Sequence, residues 1–360
     1  MSNKNREQFH RGLKKAIREG DSSKIVSLCE KQKDVDEAAR DAIVLAIRLD
    51  RDIVIEQLLP LLKGSWQCEP LNEAAKSGRT ECMVRLIPFC NVESGDALIQ
   101  AARHGHVGTV KLLMRFCSPL EGDSQALYEA SLHGHADVVF QLVLFSNAKV
   151  RGSRALIAAC RAGHQEVVKH LLPFSSKIQC AQRGFEAAAE HNHEAIIKFL
   201  IAAGLPDPED TYSAGLNIAA ARGHVSLVRT LLWAIVRTGF VPRDFGQEAL
   251  FVAAKNGHAE VVKSAMEFAH KTAYPEAALY AALLGAHDAV ADLLVRRVNL
   301  DQVRELISDE EIEVRLDRSM ARVAAAAQNK ELRSNETSRE KGYEAAAGSL
   351  PKKYHPARRL

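Results

Sequence analysis

No stretch of this 360-residue sequence is apolar for long enough to cross a bilayer. The longest runs, around Ala42 to Ile47 and Leu231 to Val236, fall far short of the ~20 residues that a spanning helix needs. The opening residues, MSNKNREQFHRG, are polar and lack the apolar core of a cleaved secretory leader, so a cytoplasmic location without membrane attachment is expected. An excess of one charge is also missing: 48 Lys and Arg face 45 Asp and Glu, and the net +3 by itself implies no class of partner. The seven cysteines (Cys29, Cys68, Cys82, Cys90, Cys117, Cys160 and Cys180) are odd in number and form no Cys-x-x-Cys pair. That argues against a disulfide framework and for reduced, partly buried thiols. Motifs of enzyme chemistry are absent too: no G-x-x-x-x-G-K-[ST], no G-x-S-x-G, no H-E-x-x-H and no G-x-G-x-x-G behind a strand. His193-Glu194 begins a zinc-protease-like string, but Ile197 stands where the second His belongs. These absences predict a non-catalytic chain with no cofactor.

What is present is repetition. A Leu or Phe, an Ala pair or near-pair, a His that follows Gly in five copies and then a Val/Ile/Leu-rich stretch recur seven times, as in LIQAARHGHVGTVKLL (Leu98 to Leu113), LYEASLHGHADVVFQLV (Leu127 to Val143) and LIAACRAGHQEVVKHLL (Leu156 to Leu172). Anchoring each copy on the first Ala of its pair gives Ala101, Ala130, Ala159, Ala188, Ala219, Ala253 and Ala282, with weaker copies on Ala16, Ala46 and Ala74. Ten repeats result, spaced 27 to 34 residues apart, with the length variation falling between copies. Each copy reads as two short helices. The small Ala pair permits close helix contact, the Gly four residues after the anchor ends the first helix in a left-handed conformation, and the apolar pair behind it opens the second.

These residues resemble the ankyrin repeat family, whose helix-turn-helix carries an A-A-x-x-G-H-x-x-V-V-x-x-L-L core. The likeness runs from about His10 to Arg297. No copy has the family's Thr-Pro-Leu-His opening, and ~29 residues is short of the usual ~33. The resemblance implies an all-α, ankyrin-type helical solenoid of about ten repeats over residues 10–298, with trimmed loops. Residues 1–9 are expected to be a disordered N-terminus. Residues 299–329 are expected to form one or two capping helices, because Ser308-Asp-Glu-Glu311 has the form of a capping box ahead of Ile312, Leu316, Met320 and Val323. From Lys330 the composition turns to Glu, Lys, Arg and Ser without an apolar period, so a basic disordered tail is expected over 330–360.

The family likeness also points to a face. The second and third residues after each anchor project, in the ankyrin family, from the end of the first helix onto the concave surface where partners commonly bind. Here seven of the ten repeats place Lys or Arg there, in a chain that is otherwise balanced. The candidate binding residues are Arg18, Arg48, Lys76, Arg103, His104, His133, Arg161, His191, Arg222 and Lys255. The bland alternative is that they are solvated charges favoured by the helix dipole. Histidines recur once per repeat (His106, His135, His164, His193, His224, His258, His287). They are expected to be structural, bonding local backbone at the turn, since equivalent positions in stacked helices are ~8–10 Å apart, whereas one zinc draws two imidazole nitrogens within about 4 Å. Phe89, Phe116, Phe145, Phe174 and Phe268 stand fifteen residues after their anchors. They are expected to close the core beneath the shortened loops, with an exposed aromatic stripe as the alternative.

The expected function is therefore a monomeric, non-catalytic protein-interaction scaffold or adaptor whose basic face binds an acidic protein partner. Its likeness to divergent arrays with basic tails extends to effectors acting in a host cell. A nucleic-acid binder is the rival, disfavoured because the basic ladder lacks interleaved stacking aromatics and an acid-rich stretch, Asp309 to Asp317, lies close by.

Overall fold

The computed structural model describes residues 3–62, 69–92, 95–148, 150–175, 179–204, 208–238, 246–268 and 275–348. Among them there are helices and turns but no β-strand. The helices pair as the repeats do. The first four pairs are α1 (Asn3–Glu19) with α2 (Ser22–Glu30), α3 (Val35–Arg48) with α4 (Asp52–Leu58), α5 (Glu69–Lys76) with α6 (Thr80–Leu86), and α7 (Asp96–Arg103) with α8 (Val107–Leu113). Then follow α9 (Glu121–Leu132) with α10 (Ala136–Leu142), α11 (Val150–Ala162) with α12 (Gln165–Leu171), and α13 (Gln179–Glu190) with α14 (Glu194–Ala202). The last three pairs are α15 (Pro208–Arg222) with α16 (Val225–Thr238), α17 (Gln247–Lys255) with α18 (Ala259–Phe268), and α19 (Pro275–Leu284) with α20 (Asp288–Leu294). Beyond them lie α21 (Leu300–Leu306) and α22 (Glu310–Gly348). The chain divides into two compact bodies, Met1–Gly215 and Leu216–Leu360, a division that the sequence does not announce.

Every anchor alanine sits near the end of the first helix of its pair with no exposed surface, from Ala16 to Ala282. Nothing larger than a methyl fits where that helix meets its neighbours, so the Ala positions set the close approach. The second helix buries its apolar pair and the Leu that follows one turn later: Val138, Val139 and Leu142 in α10, and Val167, Val168 and Leu171 in α12. Each such side chain contributes roughly 1.5–3 kcal/mol on burial.

The turn between the two helices is a Schellman motif in which one residue in the left-handed region lets the chain reverse. In the sixth repeat, Gly163 has φ +84°, and the His164 amide donates to the Ala159 carbonyl at 3.0 Å. All ten repeats carry a positive φ at this position, including those where Asp50, Asn192 and Ala286 stand in place of Gly.

At the C-terminus α21 and α22 cover the last repeat. Ile312 and Leu316 are buried, and Arg322 grips Asp292 through two nitrogens at 2.9 Å each. Two expectations are revised. The residue that caps α22 is Asp309, whose carboxylate accepts the Glu311 amide at 2.9 Å, because the helix starts one residue later than a box built on Ser308 requires. And the helix does not stop where the composition changes at Lys330; it continues to Gly348, since Glu, Lys, Arg, Gln and Ala are strong helix formers even without an apolar face. Residues 349–360, including the basic end of the expected tail, lie outside the described residues, as do Met1 and Ser2.

Candidate partner-binding face

Six of the seven candidate cations, Arg18, Arg48, Lys76, Arg103, Arg161 and Lys255, occupy one register: the last turn of the first helix in their repeats, two residues after the anchor and two before the left-handed turn, whereas Arg222 stands one residue later, directly before Gly223. In several repeats the carbonyl two residues after the anchor is fixed from the following repeat, and in four of them it belongs to a candidate cation, Lys76, Arg103, Arg161 or Lys255. The imidazole Nε2–H of His106 donates to the Lys76 carbonyl at 2.9 Å, His135 to Arg103 at 2.8 Å, His164 to Leu132 at 3.1 Å and His193 to Arg161 at 2.9 Å. In the second body His258 donates to Ala221, and His287 to Lys255, both at 2.9 Å. These histidines are structural, as expected, but their partner is not local backbone. It is the carbonyl two residues after the anchor of the repeat before. Because a carbonyl only accepts, Nε2 of each ring carries a proton.

The left-handed glycine makes that latch possible. A Cβ on Gly163 would stand 2.6 Å from a ring carbon of His193, and a Cβ on Gly105 would stand 2.5 Å from Nδ1 of His135. Glycine thus meets two demands at one position, the positive φ and the approach of the next repeat's ring. In the third repeat, Arg79 takes the place of His and reaches back to Asp50 and to Asp52, the latter at 2.7 Å.

The ladder of charge is less uniform than the sequence suggests. Arg48 is exposed but held by Glu73 of the next repeat through Nε at 2.9 Å and Nη2 at 3.2 Å. Arg103 is half-buried and bonded to Glu129 at 3.0 Å, with Gln125 donating to the other carboxylate oxygen at 2.8 Å. In both cases the glutamate stands immediately before the next anchor, so the stacking of repeats neutralises the cation. The Arg48 hydrogen bond holds Glu73 below the usual carboxylate range. Burial pushes Glu129 up, and the bonds from Arg103 and Gln125 outweigh it, so Glu129 also ends below that range.

The histidines among the candidates behave differently from the cations. Burial, with the positive charges of Lys76 and its neighbours, lowers the pKa of His104, so this residue adds no charge at neutral pH. His133 donates from Nδ1 to the Glu129 carbonyl at 2.9 Å, and His191 from Nδ1 to the Ala187 carbonyl at 3.0 Å. Both stack against the latch histidine two residues on, with ring centroids 6.3 Å and 6.2 Å apart. His104, His133 and His191 are all exposed.

Of the ten candidates, Arg18, Lys76, Arg161 and Lys255 are exposed and make no ion pair with a described residue. Arg222 is also exposed and has a partner of its own. The unpaired charge thus lies with Arg18, Lys76 and Arg161 in the first body and Lys255 in the second. Arg48, Arg103 and His104 are withdrawn from it.

The Phe ladder reverses the expectation. Phe116, Phe145 and Phe174 are 46%, 60% and 39% exposed, and Phe89 and Phe268 are half-buried. The core beneath these loops is closed by the small residue that follows. Cys117 and Ser175 are buried, and Ser175 Oγ donates to the Leu171 carbonyl at 2.8 Å, so the strings RFCS and PFSS turn Phe outward and Cys or Ser inward.

No group of three His, Cys, Asp or Glu side chains among the described residues is arranged to hold a metal ion. Cys29, Cys82, Cys90, Cys117 and Cys160 are free thiols, and burial pushes Cys29 and Cys82 up to about 11 and Cys160 up to about 12, far from reactive thiolates. Cys68 lies outside the described residues. No helix among them is long and apolar enough to cross a membrane.

The turn, the Ala anchors and the stacked helix pairs define a class, the helical repeat proteins. The family of ankyrin repeats (3 copies) matches residues 71–151, 127–212 and 216–305, more than half of the sequence. The chain belongs to the ankyrin repeat family. Among solved structures, the human ASB11 ankyrin repeat domain is similar at 23% identity and a TM-score of 0.46, covering 56% of this chain and 97% of that one. No curated protein matches the sequence.

Proposed function

We propose that the protein is a non-catalytic scaffold or adaptor that binds a protein partner with an acidic surface through the unpaired cations at its first-helix ends. Ankyrin repeats are generally protein-interaction modules. The observation that carries the finer reading is the state of Lys76 and Arg161. Both side chains are exposed and make no ion pair with a described residue, while their main-chain carbonyls are fixed by the next repeat's histidine. A charge held on a rigid frame binds with little ordering cost and speeds encounter with an opposite charge. Lys255 repeats the arrangement in the second body. Acting as a monomer in the cytoplasm is part of the same proposal.

The test is affinity capture with the intact protein beside the Lys76→Glu, Arg161→Glu variant, with helicity monitored by circular dichroism. Loss of an acidic partner with helicity intact supports the reading, and unchanged capture sinks it. A salt titration of the captured complex addresses the nucleic-acid alternative, for which the logarithmic slope is steep because phosphate contacts release counterions.

A further inference from the structure

The second helices of the fourth, fifth and sixth repeats carry a pattern that the basic ladder does not explain. Ten residues after the anchor, α8, α10 and α12 present Lys111, Phe140 and Lys169. Fourteen residues after it stand Arg115, Leu144 and Pro173, and fifteen after it Phe116, Phe145 and Phe174. All nine side chains are exposed, with Phe140 at 55%, Leu144 at 66% and Phe145 at 60%. Neighbouring second helices pack against one another, so residues in equivalent positions sit ~8–10 Å apart. The contact between the Phe140 and His170 rings, with centroids 5.4 Å apart, ties two of the repeats together. The result is an apolar centre on α10, flanked by cations on the neighbouring helices and bordered by a row of aromatics at the helix ends.

Single exposed apolar residues need no explanation, but a contiguous group rimmed by charge marks a contact surface. The rim states the chemistry of the occupant. Lys111 and Arg115 make no ion pair with a described residue. Lys169 pairs with Glu166 at 2.7 Å within its own helix, but both are exposed, and such pairs contribute little. The acids of this face, Asp137 and Glu166, lie in the first turns of α10 and α12, at the opposite end of those helices from the aromatics. We propose that this face docks an amphipathic segment of a partner protein whose apolar stripe is flanked by carboxylates. The apolar stripe covers Phe140, Leu144 and Phe145, and the carboxylates meet Lys111 and Arg115. The site is separate from the basic ladder: the ladder occupies the end of each first helix beside the Gly turn, and the aromatics lie at the far end of each second helix.

The test uses the full chain and two labelled helical peptides of about 18 residues, a length sufficient for an induced helix. They share one Leu/Phe stripe and differ only in Glu or Lys flanks, and binding is read by fluorescence anisotropy. The Glu peptide is expected to bind at least about tenfold more tightly than the Lys peptide. Phe140→Ser, Leu144→Ser, Phe145→Ser is expected to remove that binding with circular dichroism unchanged, because the side chains are exposed. Lys111→Glu, Arg115→Glu should reverse the preference between the peptides, and Lys76→Glu, Arg161→Glu should leave it within about twofold. Equal binding of the two peptides, no binding of either, or loss of binding through the Lys76 and Arg161 changes overturns the proposal. So does a concentration-dependent dimer in sedimentation that the triple Ser variant abolishes, since the occupant would then be a second copy of the chain.

Discussion

His193 donates its Nε2–H to the carbonyl of Arg161, one repeat earlier, at 2.9 Å, and its ring lies where a Cβ on Gly163 would have to stand. One side chain therefore ties two repeats together and dictates the residue at the turn between α11 and α12.

Gly163→Val is expected to destabilise the protein by about 2–4 kcal/mol. The forced positive φ contributes about 1–3 of this, and displacing the His193 ring with its hydrogen bond contributes about 1 more. His193→Ala alone should cost about 1 kcal/mol, and the two together less than their sum, because removing the ring frees space for the Cβ. Urea unfolding midpoints of the three variants check this, and strict additivity would separate the turn from the latch.

Ala286 occupies the same turn position in the last repeat with φ +56°. A side chain pays a steric penalty there that glycine avoids, partly offset by glycine's freedom in the unfolded chain. Ala286→Gly should raise stability by roughly 0.5–1 kcal/mol, visible as a higher melting temperature. A drop would show that the Ala286 methyl is held by favourable contacts.

Glu73 and Glu129 both have folded pKa values below their ordinary 4.5. Depressed values mean that the stability they contribute is complete above about pH 4.5 and is lost as pH falls through the folded-state values. Denaturation midpoints should therefore hold between about pH 7 and 5 in respect of these groups and decline below about 4.5. Glu129→Gln is expected to lower the plateau and flatten that acid limb.

The latch histidines use Nε2 as a donor, which leaves Nδ1 with the lone pair, and among the described residues no group of three His, Cys, Asp or Glu side chains is arranged to share a metal ion. Chelation with EDTA is expected to leave the melting temperature unchanged, and stoichiometric zinc in the purified protein, lost together with helicity, would contradict it.

Much of this was legible in the sequence. Repeat register, helix pairing and the turn followed from Ala, Gly and His at fixed intervals, because those residues answer to backbone geometry, which is local. What stayed hidden depends on neighbours in space. Nothing in a single repeat shows that Glu129 stands against Arg103, since the pairing arises only when repeats stack. Recurrence of Phe116, Phe145 and Phe174 was plain, but periodicity does not say which way a side chain points; the small residues behind the first and the last, Cys117 and Ser175, held that information. Phe140 was legible too, as an aromatic at a position where most repeats carry a polar or charged residue.

Arg315 donates from Nη1 to the Leu283 carbonyl at 3.0 Å and to the Leu284 carbonyl at 3.4 Å. Leu284 stands two residues after Ala282, in the register where earlier repeats accept an imidazole from their successor. The terminal helix thus occupies the acceptor that an eleventh repeat would use. Lengthening of this protein by duplication can succeed upstream of α21, where each new copy finds a carbonyl waiting and offers one in turn. A copy added after α22 finds that acceptor already taken. A single guanidinium thereby covers the last repeat at the register where earlier repeats receive their successors.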